Sequence, residues 1–154
     1  MNRYIRPTVD DDIRFVADHM RIEDVEEVLA QGSTPFDGLV RSRDNSTLCH
    51  TLIEPDGSPC ALLGVCPGYY EKSGLIWLLG TQGIERNPIT FLRHSKSVLT
   101  TLFEAGPYDL MYNYTYAKND LHHKWLKWLG FKFLRKVEIP PFNKTFIEFV
   151  KIRN

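Results

Sequence analysis

Apolar residues recur along this chain at two periods, and the switch between them divides it. From residue 8 to residue 40 the spacing is helical. Ile13, Val16 and Met20 share one face of a helix that Thr8 and Asp11 open in the manner of a capping box, with Asp in place of Glu or Gln. Ile22, Val25, Val28 and Leu29 form the stripe of a second helix, which begins at Arg21-Ile22-Glu23-Asp24 and stops near Gly32. Thr34-Pro35 caps a short third helix carrying Phe36, Leu39 and Val40. A short strand over residues 4–8 precedes all three.

Past residue 45 the pattern turns to strand. Residues 46–53 and 60–66 flank Pro55-Asp56-Gly57-Ser58, where Pro presets one turn dihedral and Gly accepts a positive one, and the pair predicts a hairpin. Residues 74–80, Gly-Leu-Ile-Trp-Leu-Leu-Gly, are nearly unbroken in apolar character, as in a strand covered on both faces. Residues 81–88 read as a loop. Ile89, Leu92, Leu99, Leu102 and Phe103 set a longer helix that Gly106-Pro107 stops. A strand over 108–116, a helix over 120–129 and strands over 131–139 and 145–152 complete the chain. An antiparallel front half, a β-α-β crossover and a closing hairpin predict an α/β fold of three layers, a mixed central sheet with helices on both faces. Crossover handedness and the two covered faces make the strands at 74–80 and 108–116 parallel neighbours. A single domain accounts for residues 1–154, with no repeat or linker inside it.

Composition narrows the partners. Lys plus Arg equals Asp plus Glu, at 19 each, so no global field draws nucleic acid or an anionic membrane. The N-terminal residues contain no long apolar run and no window approaches bilayer length, which predicts neither a signal peptide nor a spanning helix. Cys49, Cys60 and Cys66 are odd in number and form no Cys-x-x-Cys pair, a usage that fits reduced, buried thiols of a cytosolic protein. His122 and His123 point to different helix faces and have no third ligand at sensible spacing, so no metal is expected. A single histidine there is a candidate for protonation near neutral pH.

Asn119 and Gly130 stand eleven residues apart around one amphipathic helix that ends in Gly130-Phe131. Within this element order, that frame resembles the last helix of the GNAT superfamily of N-acetyltransferases. Ile5-Arg6-Pro7-Thr8, Met20-Arg21-x-x-Asp24, Ile76-Trp77-Leu78-Leu79-Gly80-Thr81 and Trp125-Leu126-x-Trp128-Leu129-Gly130-Phe131 are similar to a divergent bacteriophage GNAT-like group. That group includes a small internal virion protein of short-tailed phages needed for particle assembly. The resemblance implies a GNAT-like fold whose central parallel strands splay apart, acetyl-CoA as cofactor, and an amine of a protein or small molecule as acceptor. For the phage group it implies the host cytoplasm or the virion as location, with a host protein or virion components as partners.

The resemblance also assigns residues. Leu78, Leu79 and Gly80 would offer backbone hydrogen bonds to the pantetheine arm. Thr81, Gln82, Gly83, Arg86 and Asn119 complete the cofactor side, with the pyrophosphate at a helix N-terminus, where free N–H groups favour an anion. Gly80 reads either as a bulge or as a strand-ending turn glycine. Asp18, Arg21, Glu23 and Trp77 are acceptor-side candidates. Asp24 is the candidate base and Tyr114 the candidate acid, with a surface ion pair of Arg21 and Asp24 at i, i+3 as the alternative reading. The chain departs from the family pattern twice. Residues 81–88 carry one glycine and a carboxylate where the family carries Arg/Gln-x-x-Gly-x-Gly/Ala, and Leu126 replaces the proton-donating tyrosine four residues before the helix-ending glycine. Trp125 and Trp128, beside it, are expected in the core. These departures leave open a catalytically inert GNAT-fold virion assembly protein or host-protein binder.

Overall fold

The computed structural model describes residues 3–153. Strand β1 (Ile5–Pro7) leads into helices α1 (Asp10–Asp18), α2 (Ile22–Ala30) and α3 (Pro35–Asn45). A meander of β2 (Leu48–Ile53), β3 (Pro59–Pro67) and β4 (Ser73–Gly80) follows. The single turn α4 (Gly83–Arg86) and the long α5 (Pro88–Ala105) lead back to β5 (Leu110–Tyr116). Helix α6 (Asp120–Trp128) and the hairpin of β6 (Lys132–Ile139) and β7 (Lys144–Ile152) end the fold.

The strands form one sheet in the order β1-β2-β3-β4-β5-β7-β6. Alternation along β3 and β4 supplies two apolar faces. Leu62 and Leu79 pack against Ile13, Val16, Val28 and Leu39 of α1–α3. Leu63 and Leu78 face the other way, into a core with Val98 and Leu102 of α5 and Trp125 and Leu126 of α6. The expected three-layer mixed α/β architecture is therefore observed, including the parallel pairing of β4 with β5.

Local readings needed adjustment where polar groups found tertiary partners. The first helix is capped one residue later than Thr8 and Asp11 suggest, since Asp12 accepts the Val9 N–H at 3.0 Å. Ile22 and Leu29, read as buried stripe positions of α2, are 59% and 48% exposed. The helix instead turns Arg21, Asp24 and Glu27 inward, because each finds hydrogen-bonding or ionic partners there. Residues 83–86, read as loop, form α4. Trp125 is buried as expected, but Trp128 is 45% exposed, with the Lys96 ammonium 5.1 Å above its ring.

The site is positioned by how briefly β4 and β5 pair. Their register covers only Ser73–Leu75 with residues 110–112. Beyond it β4 stays with β3 as far as Gly80, while β5 stays with β7 as far as Tyr116. The two strands part, and Asn113 Nδ2 reaches across the start of the gap to the Ile76 carbonyl at 2.8 Å.

Candidate active site

The parted strands leave a wedge whose chemistry follows from strand parity. The Thr81 N–H donates to the Cys60 carbonyl, so odd-numbered residues of β4 bond to β3 and the even-numbered ones face β5. Ile76 is bridged by Asn113. Gly80 is closed on both sides: its N–H donates to Asp24 Oδ2 at 2.9 Å and its carbonyl accepts the Arg21 N–H at 2.9 Å. Leu78 lies between them, with its backbone polar groups toward the gap. Leu79, by the same parity, bonds to β3 opposite Leu62 and does not present its backbone to the gap. A cleft of about 200 Å³ runs through the sheet here. Trp77 and Tyr114 line it on the α2–α3 side, and His122, Trp125 and Leu126 on the α6 side.

The mouth of the wedge is held by one buried polar network. Arg21, Asp24 and Glu27 recur every three residues and so share one side of α2. Arg21 Nη1 lies 2.7 Å from Asp24 Oδ1 and Asn119 Nδ2 lies 3.0 Å from the same oxygen. Glu27 Oε1 accepts the Tyr116 N–H at 2.7 Å and the Thr115 hydroxyl at 3.3 Å. One carboxylate thus terminates β4 and the other terminates β5. His122 bridges them from α6, with Nε2 3.3 Å from Asp24 Oδ1 and Nδ1 3.4 Å from Glu27 Oε2.

The charges in this network set its protonation. Burial alone would lower the His122 imidazole, but the Asp24 and Glu27 carboxylates outweigh it and raise the ring above its ordinary value. Burial alone would raise Glu27, yet the His122 charge and the bonds from His122, Tyr116 and Thr115 hold it below the usual carboxylate range. At Asp24 burial prevails over the pull of His122 and Arg21, and the carboxyl lies above its ordinary value. Tyr114 is raised by burial and by Glu148 on the paired strand, so it is a protonated donor at neutral pH. Asp24, Glu27 and His122 also offer ligand atoms within 4.8 Å of one another. The third ligand that sequence spacing did not provide comes from α2. A cation placed there would face the Arg21 guanidinium, which already supplies positive charge to Asp24.

The segment after β4 is committed internally. The Thr81 hydroxyl donates to the Cys60 carbonyl and accepts the Gly83 N–H. Arg86 pairs with the buried Glu54 at 3.0 Å, and Asn87 donates to the same carboxylate. Glu54 sits so close to Gly83 that a Cβ there would lie 2.5 Å from its carboxyl. An internal anion therefore occupies the space beside the start of α4. Gln82 is exposed. Gly80 is no bulge, because the β3–β4 register runs unshifted from Gly74 to Gly80. A side chain at that position would instead collide with Ile84 of α4.

The structure gathers Arg21, Asp24, Gly80 and Asn119 into one network and places Trp77, Leu78, Leu79 and Tyr114 around the cleft. Asp18 is exposed at the end of α1, outside both. Glu23 lies 3.0 Å from Arg21 Nη2 and does not line the cleft. Glu27 and Glu54 went unnoticed in the sequence. Glu27 had a signal, the three-residue spacing from Arg21 and Asp24, whereas Glu54 reads simply as a turn-flanking acid.

No family model and no curated protein matches the sequence. Solved structures match along nearly the whole chain. The ribosomal-protein-S5-alanine acetyltransferase of Vibrio fischeri superposes with a TM-score of 0.67 at 13% identity, covering 100% of this chain and 95% of that one. A GNAT-family acetyltransferase from Bacillus anthracis gives 0.71 at 11% identity, covering 96% and 93%. AAC(6')-Ib, solved with ribostamycin and coenzyme A, gives 0.71 at 12% identity, covering 97% and 93%. At these identities the likeness establishes the fold: this chain has the three-layer fold of the GNAT acetyltransferases.

Proposed function

We propose that the protein is an acetyl-CoA-dependent N-acetyltransferase acting on an amine of a protein or small molecule. The observation that carries this reading is the cleft through the sheet, in which Leu78 keeps backbone hydrogen-bonding groups toward an open gap between parallel strands. A pantetheine arm bonded to Leu78 would bring its thioester in from one face, while Trp77 and Tyr114 border the approach of an amine from the other. Desolvation in such a cleft lowers an amine's pKa, so water suffices to take its proton, and positioning supplies much of the rate. Asp24 holds strand and helix in this scheme rather than acting as a base, since Arg21, Asn119 and Gly80 already use its oxygens. Tyr114 is a candidate donor on the acceptor side. The spermidine N-acetyltransferase and the AAC(6')-Ib complex with ribostamycin, both sharing the fold, support an amine acceptor.

Specific contacts also favour a second reading. Asp24 and Arg21 occupy the Gly80 edge, and Glu54 stands beside Gly83 where a phosphate would approach. Closed in this way, the protein would be a GNAT-fold binder of host protein or virion components in a phage-infected cell, without turnover. Thermal unfolding with acetyl-CoA separates the two. Binding at 100-fold above Kd stabilises by about 2.7 kcal/mol. A rise in Tm together with CoA release on an amine panel supports the enzyme. No rise at millimolar acetyl-CoA sinks it.

A further inference from the structure

We propose that the acceptor is a small amine that carries a carboxylate, an α-amino acid, and that Arg41 selects it by binding that carboxylate. This inference rests on the acyltransferase reading above and narrows it.

The α2–α3 side of the cleft is unbalanced in charge. One carboxylate and one guanidinium, those of Glu27 and Arg41, are among the lining groups. Glu27 is buried and already committed. Its Oε1 accepts the Tyr116 N–H and the Thr115 hydroxyl, and its Oε2 lies 3.4 Å from His122 Nδ1. It has nothing left with which to draw in an ammonium. Arg41 is the reverse: it is exposed and makes no ion pair or hydrogen bond with any described residue.

Helix α3 shows the contrast within itself. Arg43, two residues on and outside the cleft, is held by Asp10 at 2.9 Å and by Asp44 at 3.0 Å. Gly38, Arg41 and Ser42, at i, i+3 and i+4, share the face that lines the cleft. A Cβ at Gly38 would lie 3.2 Å from Val28 Cγ1, so the glycine lets α3 settle against α2 and carries the next turn to the cleft. One arginine of the helix is neutralised twice, and the other stands uncompensated where an acceptor enters.

That arrangement sorts amines by their second charge. In water a primary amine arrives as an ammonium, and an uncompensated guanidinium repels it; a diamine is repelled more. A carboxylate on the same molecule reverses the sign, because a planar guanidinium donates two parallel charge-assisted hydrogen bonds to it. With the carboxylate on Arg41, the amine end points inward between Trp77 and Tyr114 toward Leu78. The cleft, at about 200 Å³, is smaller than the roughly 300–1,000 Å³ of drug-sized pockets, which suits an amino acid. In the transfer the amine lone pair forms the C–N bond and the C–S electron pair goes to sulfur. The surplus proton on nitrogen passes through water to that thiolate.

The test follows CoA release from acetyl-CoA with a panel of L-amino acids, the amide of each, and putrescine. It compares wild type with Arg41→Gln and Arg43→Gln. Wild type should prefer acid over amide for at least one member and use putrescine poorly. Arg41→Gln should cut that preference about 10- to 100-fold, the worth of hydrogen bonds to a charged group, through KM and with kcat within about threefold. Comparing ratios between proteins cancels the different basicity of acid and amide. Arg43→Gln should leave the ratio within about threefold. A second arm needs no turnover: N-acetyl-L-amino acids should raise the Tm of wild type more than their amides do, and Arg41→Gln should erase the difference. A ratio unchanged in Arg41→Gln, or putrescine used as well as the amino acids, would overturn the proposal. Carboxylate-dependent binding of the N-acetyl compounds without acetyl-CoA binding would overturn the acyltransferase reading and leave the Arg41 carboxylate site standing. Failure of both arms would overturn both.

Discussion

The Asp24 carboxylate accepts the backbone N–H of Gly80 at 2.9 Å, so that a helix terminates the open edge of the central strand β4. Glu27, one turn later, does the same for Tyr116 of β5. The two parallel strands are thus capped by adjacent acids of α2, and the wedge between them is fixed by side chains rather than by the sheet's own ladder.

Removing Asp24 should be costly. Asp24→Ala takes the shared carboxylate from Arg21 Nη1, the Gly80 N–H and the Asn119 amide, leaving Arg21 paired through Nη2 with the half-exposed Glu23. Breaking a buried pair costs about 3–5 kcal/mol, read as a lower midpoint in urea unfolding. Replacing both partners, as in Arg21→Met with Asp24→Leu, should recover part of that loss. A single variant within about 1 kcal/mol of wild type would contradict a structural role for this pair.

Stability should depend on pH through His122. Its folded pKa is raised above its ordinary value of about 6.5, so its contribution is complete below that pH and is lost as pH rises through the folded value. Glu27, held low, contributes above its ordinary value of about 4.3 and loses the contribution as pH falls through the folded one. Urea midpoints of wild type minus His122→Gln should therefore shrink between pH 6.5 and 8. A flat difference across that range would contradict the imidazolium bridge.

Leu126→Tyr should not create an efficient enzyme. Leu126 is 1% exposed within the core that α6 buries, and enlarging such a residue costs about 1–3 kcal/mol. The expected result is a lower Tm with little gain in CoA release. A large gain would mean that the missing phenol, not the committed segment after β4, limits the reaction.

The thiols should be slow to react in the native protein. Burial pushes Cys60 up to about 12 and Cys49 up to about 11. Neither forms a thiolate at neutral pH, and the thiolate is the nucleophile. Iodoacetamide at pH 7.5 should label Cys60 only at the rate of unfolding. Rapid native labelling would show that the strand edge opens.

Gly64→Ala should disturb the acceptor side of the cleft. A Cβ at residue 64 would lie 2.8 Å from the Trp77 indole, whose Nε1 donates to Ser46 Oγ at 2.9 Å. Overpacking of this kind costs about 1–3 kcal/mol. Trp77 fluorescence should shift with the drop in Tm, and an unchanged spectrum would place the strain elsewhere.

The sequence by itself determined the element order, the three layers and the parallel neighbours at the centre of the sheet. Those follow from periodicity, from Pro and Gly punctuation and from chain connectivity, which are all local or nearly local. It also located the departure at Leu126. It misread α2, because a hydrophobic stripe predicts the buried face only while polar residues have no better offer. Arg21, Asp24 and Glu27 had one: two strand edges, Asn119 and His122, drawn from segments about 50 to 100 residues away. Only the tertiary structure brought those partners together. It alone decided that Gly80 is closed by α2, that Arg86 belongs to Glu54, and that His122 stands between two buried carboxylates that raise its ring above its ordinary value. Spacing along a chain records which residues share a face, whereas the strength of a buried charge depends on what the rest of the fold places within a few ångströms of it.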